Sequence, residues 1–222
     1  WFWERINDLK IEKYIVNQVS NNNPKICFIP TATGDDQTYI ENFYKAFDSL
    51  GCETSHIDFF KRTMNLQDHI NHQDIIYVGG GNTKSMLAVW REWGLDQILL
   101  DAYKKGVIMS GVSAGAICWF EKGITDSWKE HQAILPCLGF VKGICCPHYD
   151  EEPERIPFVK EILNQNKIDK CIAIEGYCAL HLIDDIAKFV VSFDDGNNCY
   201  MVTKNNSIIE NRFIEEVDYI QL

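Results

Sequence analysis

Gly111-Val112-Ser113-Ala114-Gly115 sets a serine among small residues, after the apolar run Val107-Ile108-Met109 and before a helix-compatible segment. A serine hydroxyl is a useful nucleophile only when a sharp turn presents it and a neighbouring base takes its proton. The flanking glycines permit such a turn. The helix behind it offers backbone N–H groups to a developing oxyanion, and the N–H of Ala114 is the first of them. The chemistry this arrangement would carry is acyl transfer. A tight structural turn is the competing reading, and the pentapeptide alone does not decide between them.

A base must come from one of six histidines. His56 lies in a strand run, where a packed or edge role fits better. His69 and His72, three apart in a polar helical stretch, suit a solvated surface more than a metal pair. His131 sits in a segment without clear pattern, and His181 alternates within a late strand. His148 is different, because it follows Pro147 directly after the strand run Gly143-Ile144-Cys145-Cys146. Functional groups of open parallel sheets gather at the carboxyl ends of strands. His148 is therefore the candidate base, with a structural or capping histidine as the alternative. Gly79-Gly80-Gly81 also ends a strand, and the N–H groups of Gly80 and Gly81 are candidate oxyanion donors, a flexible turn being the plain alternative. A dinucleotide loop fits poorly, since G-x-G-x-x-G would need a glycine near Ser85. Glu175 ends the strand 170–174, where its carboxylate could orient His148.

The elements that must position these residues follow from periodicity. Buried strands are expected at 25–30, 74–78, 107–109, 143–146 and 170–174, with a less apolar one at 53–59. Tyr39, Ile40, Phe43, Phe47 and Leu50 recur at helical spacing, and Gly51 stops that helix. Asn82 caps a helix carrying Met86, Leu87 and Trp90 on one face. Further helices are expected over 3–20, 95–105 and 153–166, and a short one after Ser113; residues 123–142 read as irregular. From 178 onward the pattern changes to period two, with turns at Asp195-Gly196-Asn197-Asn198 and Asn205-Asn206. Alternating strands and helices predict an α/β fold: a mostly parallel sheet with helices on both faces and antiparallel strands near the C-terminus. No linker or repeat breaks the 222 residues, so one domain is expected.

Composition narrows the classes. A formal charge of −11 disfavours nucleic-acid binding, which needs a basic face. No apolar run approaches the roughly 18–20 residues of a membrane span. The opening Trp1-Phe2-Trp3-Glu4-Arg5 does not read as an export signal. Nine cysteines, an odd number without paired spacing and several in apolar runs (Cys27, Cys118, Cys145, Cys146, Cys171), read as reduced core residues and a cytoplasmic location. No metal and no cofactor is expected. A homodimer is an open expectation, since nothing in the sequence fixes the oligomeric state.

Taken together, Val78-Gly79-Gly80-Gly81-Asn82-Thr83, Gly111-Val112-Ser113-Ala114-Gly115-Ala116, Pro147-His148-Tyr149 and Ile174-Glu175-Gly176 resemble the peptidase E family of serine peptidases, which includes aspartyl dipeptidases and cyanophycinases. The resemblance covers roughly residues 24–215, with the stretches in the family's order. It implies a flavodoxin-like, class I glutamine-amidotransferase-like sandwich in which serine replaces the usual cysteine. It implies Ser113 as nucleophile, His148 as base and a short peptide as substrate. For the third member the family offers a glutamate matching Glu175 or an aspartate soon after the nucleophile, here Asp126. Glu175 is preferred, because it ends a buried strand.

Two departures bear on function. The family opens with a short apolar strand that is not seen before the first helix here, so either the sequence is truncated or another segment fills that sheet position. Aspartyl dipeptidases also carry an arginine shortly after the histidine segment, whereas this chain reads Asp150-Glu151-Glu152-Pro153-Glu154 before Arg155. Carboxylates facing a bound carboxylate would oppose it, so a dipeptidase or aminopeptidase tolerant of neutral first residues is expected. Strict cleavage after aspartate is not. The alternative is that these carboxylates face solvent and Arg155 or a lysine reaches the substrate. An α/β-hydrolase esterase shares G-x-S-x-G, and a non-catalytic sandwich that binds a small metabolite is the rival outside enzymes.

Overall fold

The computed structural model describes residues 9–193, 196–205, 208–213 and 218–221. They belong to two compact units, one ending at Ala116 and the other beginning at Ile117. The α/β class expected from the alternation of elements is what the structure shows, with a parallel sheet flanked by helices and antiparallel strands toward the C-terminus.

The first unit is built on a four-stranded parallel sheet, in the order β2 (Glu53–His56), β1 (Lys25–Ile29), β3 (Ile75–Val78), β4 (Ile108–Gly111). The central strands β1 and β3 are apolar along their length because a parallel sheet covered on both faces has no solvent side. Ile26 to Ile29 and Ile75 to Val78 are accordingly buried. Of the opening helix expected over 3–20, residues 3–8 lie outside the described residues, and the helix α1 (Lys10–Val16) ends at the Asn17 cap, short of residue 20. Helix α2 (Gln37–Ser49) starts where the Asp36 carboxylate accepts the Tyr39 N–H, and lays Ile40, Phe43 and Phe47 on the sheet. Phe43 stacks on Phe28 of β1 at 4.7 Å. Helices α3 (Leu66–Asn71), α4 (Thr83–Glu92) and α5 (Leu95–Lys104) complete the unit. Asn82 caps α4 through the Ser85 N–H, and Trp90 Nε1 donates to Thr31 Oγ1, tying α4 to the loop after β1.

The second unit holds a six-stranded sheet in the order β12 (Ile208–Phe213), β11 (Cys199–Asn205), β8 (Lys170–Ile174), β7 (Val141–Cys146), β5 (Phe120–Trp128), β6 (His131–Pro136). Strands β5, β7 and β8 run parallel, and the outer pairings are antiparallel. A three-stranded sheet joins β9 (Cys178–Ile183), β10 (Ile186–Ser192) and β13 (Asp218–Gln221). Of the expected late turns, Asp195 and Asn206 lie outside the described residues. Helix α7 (Arg155–Asn164) packs Val159, Ile162 and Leu163 with Ile144, Cys146, Cys171 and Ala173.

The stretch 123–142 is not irregular, as its sequence suggests, but mostly the β5–β6 hairpin. A register shift between Thr125 and Trp128 interrupts the period-two pattern there, which hides the strand from periodicity. Among the described residues no helix is long and apolar enough to cross a membrane.

Candidate active site

Ser113 sits between β4 and the four-residue helix α6 (Ala114–Ile117), with φ +55. A side-chain-bearing residue pays roughly 1 kcal/mol or more to occupy this left-handed region. The turn is closed by Gly115 N–H to Val112 C=O at 2.9 Å and Ala116 N–H to Ser113 C=O at 3.0 Å. Each glycine of the pentapeptide has a steric reason. A Cβ on Gly111 would meet Gly115 O at 2.5 Å and Val78 O at 2.6 Å, and one on Gly115 would run into the Val78 carbonyl. These obstacles are backbone, which cannot swing aside. We predict that Gly115→Ala destabilises the protein by about 2–3 kcal/mol, within the range of overpacking costs. A scan should then show Tm lowered by roughly 5–10 °C; an unchanged Tm would contradict this packing argument.

Gly80 clears space for the serine, since a Cβ there would lie 3.2 Å from Ser113 Cβ and 3.8 Å from its Oγ. Its N–H is given to the Tyr39 hydroxyl at 3.2 Å. Of the three donors expected for an oxyanion, Gly80 is thus engaged. Ala114 is the first residue of α6, and its N–H has no acceptor one turn back. Gly81, at φ +132, bends the chain so that Asn82 N–H reaches Ala32 C=O at 2.8 Å. Tyr39 was not legible as a neighbour, because its link to Gly80 spans two strands and a helix with no local pattern.

In the second unit, His148 follows β7 with φ +51. Its neighbour Tyr149 is buried and donates its N–H to Ile174 C=O at the end of β8, which ties the two parallel strand ends together. His148 Nδ1 lies 2.5 Å from Glu151 Oε2. An ionised carboxylate only accepts, so Nδ1 carries the proton of this bond and Nε2 is left as the basic nitrogen.

The loop that follows commits its carboxylates one by one. Asp150 accepts the Gly176 N–H at 2.7 Å and the Asn197 side-chain amide at 3.2 Å. Glu151 takes His148. Glu152 accepts from Arg155 Nε at 2.7 Å. Arg155, only 2% exposed, also donates to Ile124 C=O at 3.0 Å and pairs with Asp126 at 3.4 Å. The acidic run is therefore a set of anchors that shapes the histidine loop, and Arg155 is one of those anchors.

Glu175 and Asp126 accordingly stand in other bonds. The Glu175 carboxylate accepts the Asn198 N–H at 2.8 Å. Burial raises its pKa above the usual carboxylate value, the Asn198 N–H opposes that, and the Asp150 charge adds to it. Asp126 lies on β5 and faces Arg155. The residue after Glu175 is nonetheless informative: a Cβ on Gly176 would lie 2.5 Å from Glu151 Cδ, so this glycine leaves room for the carboxylate that holds His148. Glu151 could have been found as an acidic residue three positions after the histidine, had the loop not been read as carboxylates facing the substrate.

A serine held at positive φ between strand and helix, and a histidine held by a carboxylate, are the parts of a serine hydrolase. The model of peptidase family S51 matches residues 4–190. The chain belongs to this family. It is a serine-type peptidase, and so a hydrolase. Among its S51 relatives, the uncharacterized peptidase YgaJ of Bacillus subtilis is 45% identical over 197 residues, 88% of this chain and 85% of that protein. Peptidase E of Salmonella heidelberg is 35% identical over 102 residues, 46% of this chain and 44% of that one. The fold is shared with a putative peptidase E protein from Listeria monocytogenes, at TM-score 0.57 and 19% identity over 91% of this chain and 93% of that one. It is also shared with a peptidase from an acI-B1 actinobacterium, at TM-score 0.62 and 18% identity over 94% and 89% of the two chains.

Proposed function

We propose that this S51 peptidase hydrolyses short peptides through an acyl-enzyme on Ser113. His148 Nε2 takes the hydroxyl proton as Oγ attacks the carbonyl carbon, and later delivers it to the leaving amine. Water then opens the ester, with His148 again as base. The N–H groups of Ala114 and Gly81 hold the tetrahedral oxyanion. Glu151 fixes the imidazole tautomer and stabilises the imidazolium formed on attack. The observation that carries this reading is the strained backbone of Ser113. A turn with no chemistry to serve would be more stable with glycine there.

The substrate side of the proposal is a dipeptidase or aminopeptidase that does not demand an N-terminal aspartate. Its support is the fate of Arg155. A pocket for a carboxylate needs a fixed cation with free donors, whereas this arginine is buried against Glu152, Asp126 and a carbonyl. Repulsion by the acidic loop, which the sequence suggests, is a weaker ground, because Asp150, Glu151 and Glu152 each have a partner. Dipeptides beginning with Asp, Ala and Leu are expected to differ by less than about tenfold in kcat/KM. A preference for Asp above about a hundredfold, roughly 2.7 kcal/mol, would show that a cation does bind it.

A further inference from the structure

Cys178 opens β9 and Cys199 opens β11, and their sulfurs lie 3.3 Å apart. A disulfide needs about 2.05 Å, so the sulfurs must close by about 1.3 Å, within reach of side-chain rotation. The backbone around them is already held together. Glu175 N–H bonds to Asn198 C=O at 3.1 Å, and Asn198 N–H returns to the Glu175 carboxylate at 2.8 Å. Cross-linking would therefore fasten two segments that already meet. The two thiols also differ in access. Cys178 is half-buried, whereas Cys199 is buried and its thiol is pushed up by its bond to Cys178 and by burial.

Five of the seven other cysteines make a useful contrast, the half-buried Cys52 and Cys137 being the other two. Cys27, Cys118, Cys145, Cys146 and Cys171 are buried, and burial pushes their thiols up, to about 12 for Cys27 and Cys146. Thiolate is the reactive form, so these five behave as inert core residues.

We propose that Cys178 and Cys199 are a modification site: a dithiol that a peroxide oxidises reversibly to a disulfide. The Cys178 thiolate attacks one peroxide oxygen, the O–O bond breaks, and hydroxide leaves, giving a sulfenic acid. Cys199, losing its proton, attacks that sulfur, and the sulfenic hydroxyl departs as water. Two thiols and one hydrogen peroxide thus give one disulfide and two waters. The link would staple the segment after Glu175 to the segment whose Asn197 and Asn198 grip Asp150 and Glu175.

Stoichiometric hydrogen peroxide followed by thiol titration in denaturant tests this. The count is expected to fall from nine to seven, with a mass loss of about 2 Da, and to return to nine with a dithiol reductant. Fragmentation of the tryptic pair 171–188 and 189–204 should place the bond at Cys178, not Cys171. Cys178→Ser should keep its eight thiols under the same treatment. Cys199→Ala should instead stop at a Cys178 sulfenic acid, which a 1,3-diketone probe traps. Nine unreacted thiols in the wild type, a bond through another cysteine, or thiol loss in Cys178→Ser would each overturn the proposal.

Discussion

Ser113→Ala is expected to lower kcat by about four to six orders of magnitude and to abolish labelling by a fluorophosphonate, as removal of a triad nucleophile does elsewhere. The fold should survive. Alanine keeps the Cβ of a residue already held at φ +55 and adds no atom on the side of Gly80. Retention of more than about a hundredth of wild-type kcat would remove Ser113 from the nucleophile role. A companion variant separates chemistry from packing. Ser113→Gly should be equally inactive, yet more stable by about 1 kcal/mol, because glycine adopts a left-handed backbone without the Cβ penalty. Activity and stability would then move in opposite directions at one position, the mark of a residue kept for function.

Much of this turn was legible in the sequence. G-x-S-x-G is a steric statement as well as a motif: Gly111 and Gly115 are required because β4 and α6 press on the Val78 carbonyl. The apolar runs of β1, β3 and β8 mark parallel strands, and Asn82 marks a helix start that the structure contains. What the sequence concealed came from two sources. The β5 strand carries a register shift, so its alternation breaks where Asp126 and Trp128 lie, and a motif search sees only an irregular segment. The second source is pairing among charges. Asp150, Glu151, Glu152 and Arg155 read as one acidic loop with a late cation, because spacing does not reveal which oxygen meets which donor. Each partner is fixed by the way β5, the ends of β7 and β8 and the start of α7 come together, a tertiary fact. That is also why Glu175, well placed at a strand end, was the natural choice for the histidine's partner, while the residue beside it, Gly176, makes the room for Glu151.

The assignment of Glu151 leads to the second large effect. Glu151→Gln keeps the shape of the side chain and removes its charge, so the imidazolium formed during attack loses its counter-ion and Nδ1 its strongest acceptor. Glu151 is 40% exposed on its side chain, so water replaces part of what is lost. We expect kcat to fall by about 10²–10³-fold, less than the roughly 10⁴-fold known for a buried triad carboxylate. Glu175→Gln should cost about tenfold or less, since glutamine still accepts the Asn198 N–H, and Asp126→Asn should act on the Arg155 anchor and hardly on kcat. Gly176→Ala supplies an independent probe: its methyl would come within 2.5 Å of Glu151 Cδ, and the flexible side chain would swing away from His148. This variant should reproduce the Glu151→Gln phenotype, and the double variant should be little worse than either, because both break the same bond. If Glu175→Gln proves the more damaging and leaves Glu151→Gln near wild type, the carboxylate that serves His148 during turnover is Glu175, and the Glu151 contact belongs to the resting loop alone.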